Sequence, residues 1–267
     1  MRYSFLLALV MSILSMSLVS IGFTVPVSQN LELYYSFDEG NGNKTKDLSG
    51  NGNDGTLNGG VEWVDGKFSK ALQFNGKDSY VDCGNANGLK VKKEITLAAW
   101  VNLAIPPSQL HSDSRIIARE NSGAGAPWAS YGLTANGGAT NMLAFEISAD
   151  IADVYPKSKT LPVEGTWYHV AGVYDGSKCD IYVNGVLENS LPETGNLVVN
   201  PNLNTMVGAD VNRKIEYFQG IIDEVVIYSR VLSADEINVL SNKPFNEVMS
   251  IEPKGKLAVL WGNIKIQ

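Results

Sequence analysis

Histidine and cysteine are almost missing from these 267 residues: the chain holds two of each, His111 and His169, Cys83 and Cys179. No H-E-x-x-H run exists to supply a zincin. No G-x-S-x-G elbow is present, so a serine hydrolase lacks its nucleophile signal. Excess positive charge is lacking too. Lys and Arg number 21 against 28 Asp and Glu, the formal charge is −7, and no basic patch stands out, which argues against nucleic acid as a partner. Only one pairing of the cysteines is open. Each lies in an expected strand, in phase with apolar neighbours, and two separate buried thiols are expected rather than a disulfide.

Long apolar runs are absent except at the start. Met1-Arg2-Tyr3 precedes an apolar stretch from Phe5 to Phe23, broken by serines. A basic beginning and a short apolar core predict a secretory signal peptide over 1–22, with Ser20-Ile21-Gly22 small enough for cleavage. The alternative is an uncleaved anchor, because the run approaches the ~20 residues that span a bilayer. Either reading sends the rest of the chain out of the cytoplasm, to a secreted or cell-surface location, with membrane contact only if the segment is retained. The remaining length, roughly 240 residues, suits one large core.

What is abundant is strand signal. About a dozen short runs rich in β-branched and aromatic residues are separated by Gly, Asn, Asp and Pro turns. Residues 95–103 put Ile95, Leu97, Ala99, Val101 and Leu103 on one face. Residues 167–174, 179–183 and 186–189 form a meander. Asp175-Gly176 and Asn184-Gly185 stand at its bends, both dipeptides that favour hairpin turns. One helix is predicted at 233–240, where Ser233 and Glu236 complete a capping box. The fold class is therefore all-β: two antiparallel sheets stacked as a sandwich, with one short C-terminal helix. One domain is expected over 31–242. A tail over 243–267 follows, whose Lys256–Ile266 stretch reads as an extra strand that docks on its own domain or pairs with an outside chain.

The loop Asp47-Leu48-Ser49-Gly50-Asn51-Gly52-Asn53-Asp54-Gly55 packs short oxygen-bearing side chains between glycines. Such a loop suits Ca²⁺, which takes roughly 6–8 oxygen ligands; it also suits a polar turn that satisfies its own backbone. The EF-hand spacing is absent.

A series of motifs then falls in order: Tyr34-Tyr35-Ser36-Phe37-Asp38-Glu39-Gly40; the 47–55 loop; Gly66-Lys67-Phe68-Ser69-Lys70-Ala71-Leu72-Gln73-Phe74; Ile95-Thr96-Leu97-Ala98-Ala99-Trp100-Val101; Gly165-Thr166-Trp167-Tyr168-His169-Val170; and Gly220-Ile221-Ile222-Asp223-Glu224-Val225-Val226-Ile227-Tyr228. This order resembles the laminin-G-like jelly roll of the concanavalin A-like lectin/glucanase superfamily, over about 31–242. The resemblance implies a curved two-sheet jelly roll, a common bound Ca²⁺, and service as a binding or adhesion module. Acids recur at Asp38-Glu39, at Asp47 with Asp54, and at Asp223-Glu224. A jelly roll that joins its first and last strands would gather them, and like charges held close need a cation between them. Asp47 and Asp223 are the leading expected ligands, with Asn51, Asn53 and Asp38 beside them, in a structural site.

Catalysis is not expected. Glycosidases of this superfamily resemble a Glu-x-Asp-x-x-Glu strand, which is missing. Glu146 and Asp150 are the nearest substitute, an acid pair of nonstandard spacing. Trp128 and Tyr155 are the expected ligand-stacking aromatics, with core packing the competing role for Trp128. The expected partner is a glycan or an extracellular protein. A glycan hydrolase, or an assembly protein that docks through its C-terminal strand, is the alternative.

Overall fold

The structure is a computed structural model and describes residues 27–120, 129–150, 152–210 and 215–250. The expected signal peptide, Trp128 and the strand-like 256–266 stretch lie outside the described residues. Sixteen strands and two short helices occur within them. The strands are β1 (Leu31–Tyr35), β2 (Lys44–Thr45), β3 (Gly55–Asn58), β4 (Glu62–Asp65), β5 (Lys70–Asn75), β6 (Tyr80–Asp82), β7 (Ile95–Leu103) and β8 (Ser114–Glu120). They continue as β9 (Ala129–Ala135), β10 (Ala144–Ala149), β11 (Ala152–Val154), β12 (Trp167–Tyr174), β13 (Lys178–Val183), β14 (Val186–Pro192), β15 (Met206–Val207) and β16 (Gln219–Tyr228). The helices are α1 (Ala234–Leu240) and α2 (Phe245–Ser250).

Two antiparallel sheets stack face to face. The first runs β14-β13-β12-β7-β16-β5-β4, with β1 also on β16; the second runs β11-β10-β9-β8-β15-β6-β3-β2. Strand alternation feeds the space between them: Leu97, Ala99 and Val101 of β7 meet Leu133 of β9 and Phe145 of β10 in one core. The hairpin at Asn184-Gly185 forms as its dipeptide predicts, with φ of 50° and 80°.

The outer face of the first sheet departs from simple alternation. Every residue of β7 except Asn102 is buried, because α1 and α2 cover that face. Ser233 caps α1, its side chain accepting the Glu236 N–H while Glu236 returns the bond, as the sequence predicts. Ile237 and Leu240 then pack with Ala98, Ala171 and Val226, each worth about 1.5–3 kcal/mol of burial. The first residues of the tail are helical rather than extended. Phe245 opens α2 and packs edge-on against Tyr34 at 4.6 Å, so apolar burial fixes a helix at this point, ahead of the stretch expected to be a strand.

Candidate functional site

The chain's late acids sit where one strand changes partner. The first half of β16, Gln219–Ile222, pairs with β5; the second half, Val225–Tyr228, pairs with β1. Asp223 and Glu224 fall in the gap, at a bulge in the pairing with β7. Glu224 takes a left-handed φ of 52°, which lets two successive acids leave the ladder. The chain enters this gap twice more: after β1, through Phe37 (φ 55°) and Asp38, and before β5, through residues 66–69, with Ser69 at φ 48°. Three strained non-glycine residues thus meet around one carboxylate.

Asp223 is fully buried. Its Oδ2 accepts the Phe68 N–H at 3.0 Å and its Oδ1 the Glu224 N–H at 2.8 Å. A Cβ on Gly66 would stand 2.7 Å from Asp223 Oδ2, which is why that turn opens on glycine. Asp38, exposed, accepts the Lys70 N–H at 3.2 Å. Glu224 accepts the Phe245 N–H at 2.7 Å, and the Tyr34 hydroxyl donates to it at 3.2–3.3 Å. Burial, with the Asp38 charge adding to it, pushes the Asp223 carboxyl up to about 7. Burial, then Asp223, pushes Glu224 up to about 8. Among the described residues no Lys or Arg forms an ion pair with either acid. Lys67 lines a cavity with Asp38 and Lys243 one with Glu224, and the acids themselves offer hard oxygen donors of the kind Ca²⁺ takes.

The 47–54 loop serves a different end. Asp47 Oδ1 accepts the N–H groups of Tyr34 (3.1 Å) and Ser49 (2.9 Å), and its Oδ2 that of Asn53 (2.9 Å). Asn51 and Asn53 donate their amides to Leu31 and Glu32 carbonyls at 2.8 and 2.9 Å. Leu48 N–H bonds the Tyr34 carbonyl at 2.8 Å. The loop therefore caps the free edge of β1, and its oxygens are drawn to backbone donors that would otherwise be unpaired. Of the expected ligands, Asp38 lies close enough to Asp223 to act on its charge at the β16 gap, while Asp47, Asn51 and Asn53 bond the β1 edge. Among the described residues, the acids that do bring ligand oxygens within 4.8 Å of one another as a trio are Glu120, Asp210 and Glu216.

That trio lies with an ion network on the second sheet. Arg115 of β8 is 1 % exposed. Its Nε donates to Glu216 at 2.8 Å and lies 3.1 Å from Glu120 Oε1, and its guanidinium donates to Glu146 of β10. Burial works against the Arg115 charge, and Glu146, Glu120 and Glu216 more than offset it, so its pKa rises. Burial pushes the Glu120 carboxyl up to about 8, against the pull of Arg115. The half-buried Tyr155 points its hydroxyl inward and donates it to Glu146. Burial, then Glu146, raises the Tyr155 pKa. Glu146 thus has one oxygen on Tyr155 and the other on Arg115, while Asp150 stands exposed in a left-handed turn (φ 51°) past the strand end.

Both cysteines are free and buried, and His169 is buried in β12. Arg115, Glu120, Asp210 and Glu216 had no motif to announce them. The one available signal was charge inside the otherwise apolar strand Arg115-Ile116-Ile117-Ala118-Arg119-Glu120.

Several solved structures share this fold. The binding domain of Paraclostridial Mosquitocidal Protein 1 is 20% identical, with a TM-score of 0.63; the match covers 82% of this chain and 53% of that one. The receptor binding domain of the botulinum neurotoxin C/D mosaic serotype is 15% identical, with a TM-score of 0.60, over 80% of this chain and 51% of that one. The chain thus spans about half the length of these toxin domains. Domain 4 of AbnA, a GH43 extracellular arabinanase from Geobacillus stearothermophilus solved with arabinotriose, is 22% identical, with a TM-score of 0.59, over 79% of this chain and 98% of that domain. No curated protein matches the chain. The family model described as the concanavalin A-like lectin/glucanases superfamily matches residues 75–238, more than half of the sequence, and the chain belongs to that family.

Proposed function

We propose that this chain is an exported, non-catalytic binding module that recognises a glycan or a protein surface, braced by a structural Ca²⁺ held between Asp38 and Asp223. The observation that carries the calcium reading is the pair of buried acids, Asp223 and Glu224, at the partner switch of β16, with no ion pair to either among the described residues. A cation offsets that charge and ties the start of the domain to its end. The binding reading is supported by the family and by neighbours of this fold that are themselves binding domains. Tyr155 offers a half-exposed ring anchored by its hydroxyl to Glu146, a stiff aromatic surface of the kind sugars stack on. The commitment of both Glu146 oxygens argues against a hydrolase, since no acid at that position is left to protonate a leaving group.

A glycan array that includes arabino-oligosaccharides, read with wild type and Tyr155→Ala in calcium and in EDTA, tests this. Binding that weakens in the variant is expected. Released sugar product, or full binding by Tyr155→Ala, would overturn the assignment.

A further inference from the structure

Residues 83–94 cross from β6 of the second sheet to β7 of the first. Alternation governs the end of this crossing: Leu89 and Val91 are buried in the core, whereas Lys90 is half-buried and Lys92 and Lys93 are exposed. The crossing is held from both sides, the Tyr131 hydroxyl donating to the Leu89 carbonyl at 2.7 Å and the Leu197 N–H to the Lys92 carbonyl at 2.8 Å. Gly88 lets it close on Glu32 of β1, since a Cβ there would stand 2.0 Å from Glu32 Oε2. Beside it lies a groove of about 530 Å³, a size that admits a small ligand, lined by Lys90, Lys92, Lys93, Glu32, Glu94 and Asn87.

The opposite charges in this groove stay apart. Among the described residues none of the three lysines forms an ion pair, with Glu32, with Glu94 or with any other acid. The one hydrogen bond from their ammonium groups runs from Lys90 to Asn87 Oδ1, at 3.4 Å. Glu32 Oε1 accepts the Ser229 hydroxyl at 2.5 Å instead of a lysine. No aromatic ring among the described residues lines the groove, so a ligand there is held by charge and hydrogen bonds rather than by stacking. Three unpaired ammonium groups on a chain of net charge −7 mark a place for an anion. The carboxylates beside them accept hydroxyl hydrogen bonds and repel a ligand that is anionic throughout. A uronic acid sugar meets both demands, with one carboxylate per ring among neutral hydroxyls.

We propose that this groove binds a uronic acid oligosaccharide, with Lys90, Lys92 and Lys93 taking the sugar carboxylates and Asn87, Glu32 and Glu94 taking its hydroxyls. The proposal rests on the reading of this chain as a binding module and adds an acidic glycan at a place that Tyr155 does not line. The core anchors Leu89 and Val91 hold the intervening lysines on a fixed backbone, so the charges are positioned before the sugar arrives.

The experiment titrates the full chain calorimetrically with a galacturonic acid trimer, at ~50 and ~500 mM NaCl. Binding by wild type and by Tyr155→Ala alike is expected, weaker at the higher salt. A Lys90→Gln/Lys92→Gln/Lys93→Gln variant is expected to bind at least ~10-fold more weakly. Should it fail to fold by circular dichroism, Lys92→Gln/Lys93→Gln, at two exposed positions, takes its place with a loss of binding again expected. No binding by wild type, or undiminished binding by the lysine variant that folds, overturns the proposal. Dextran sulfate bound as tightly as the trimer overturns it too, since that is attraction for any polyanion. An arabino-oligosaccharide or other array glycan bound by wild type while the trimer is not would sink this site alone and leave the wider binding reading standing.

Discussion

His169 sets an acid limit on this fold that can be worked out from its surroundings. It lies on β12, directly across from Trp100 on β7, and its ring meets the Trp100 ring edge-on at 5.5 Å. It is 2 % exposed, and its Nδ1 has no hydrogen-bond partner. Burial alone pushes its pKa down from 6.5 to about 3. The unfolded chain therefore takes up a proton near pH 6.5, whereas the folded chain refuses it until about pH 3. Between those values the unfolded state binds more protons, so stability falls as pH falls. Above about pH 6.5 the group contributes nothing to the slope. At ~1.4 kcal/mol per pH unit, the loss at about pH 4 is on the order of 3 kcal/mol, a large share of an ordinary domain's stability. Acids elsewhere add their own pH dependence, and a double difference removes them. His169→Phe keeps the ring beside Trp100 and discards the unbonded nitrogen. Urea unfolding of both proteins at about pH 7 and pH 4, in calcium throughout, is the assay. The variant's stability relative to wild type is expected to grow by about 3 kcal/mol on acidification, equivalent to roughly 6–12 °C in Tm. A gap between the two proteins that stays constant across pH would refute the reasoning.

Asp47→Ala leaves three backbone N–H groups without their carboxylate and is expected to cost about 3 kcal/mol or more, by the same amount in calcium and in EDTA. Asp223→Asn, in contrast, is expected to shrink the melting difference between the two buffers; a shrinkage confined to Asp47→Ala would exchange the roles of the two acids. Gly172→Ala would place a Cβ 2.3 Å from the Phe145 ring between the sheets, for an expected loss of about 1–3 kcal/mol, and an unchanged melting curve would contradict that packing. Cys83 and Cys179 are expected to resist a thiol reagent in the native protein and to react fully in denaturant without reductant; a pair that stays silent in denaturant is a disulfide.

The sandwich was legible because its signals are local. Period-two runs mark β7 and β12, Asn184-Gly185 marks a hairpin, and Ser233 with Glu236 marks a helix start, each within a few residues of chain. The burial of β7 on both faces was not legible, since it depends on α1 and α2 returning from more than a hundred residues away. Tyr155 was legible as an aromatic in a loop, but its hydroxyl's turn inward to Glu146 was not. The 47–54 loop was legible as rich in oxygen. What its oxygens do depends on β1, whose free edge offers Tyr34 N–H and the Leu31 and Glu32 carbonyls as competing partners. A loop that would suit an ion in isolation is turned toward backbone when an unpaired strand edge lies beside it.

The other two groups of acids meet different partners. At the β16 bulge both oxygens of Asp223 and of Glu224 have donors: Asp223 finds the Phe68 and Glu224 N–H groups, and Glu224 finds Phe245 and Tyr34, while no guanidinium or ammonium among the described residues ion-pairs with either acid. On the second sheet one guanidinium faces Glu146, Glu216 and Glu120, its Nε 3.1 Å from Glu120 Oε1. The partners that strand pairing places beside a carboxylate therefore decide what its oxygens do. Those partners are invisible in sequence because Asp38 and Asp223, or Glu120 and Glu216, meet only after the strands have chosen partners. A one-residue slip of β16 would turn Asp223 to the opposite face and remove the charge imbalance without altering composition. Register, more than the count of acids, decides where charge gathers in this fold.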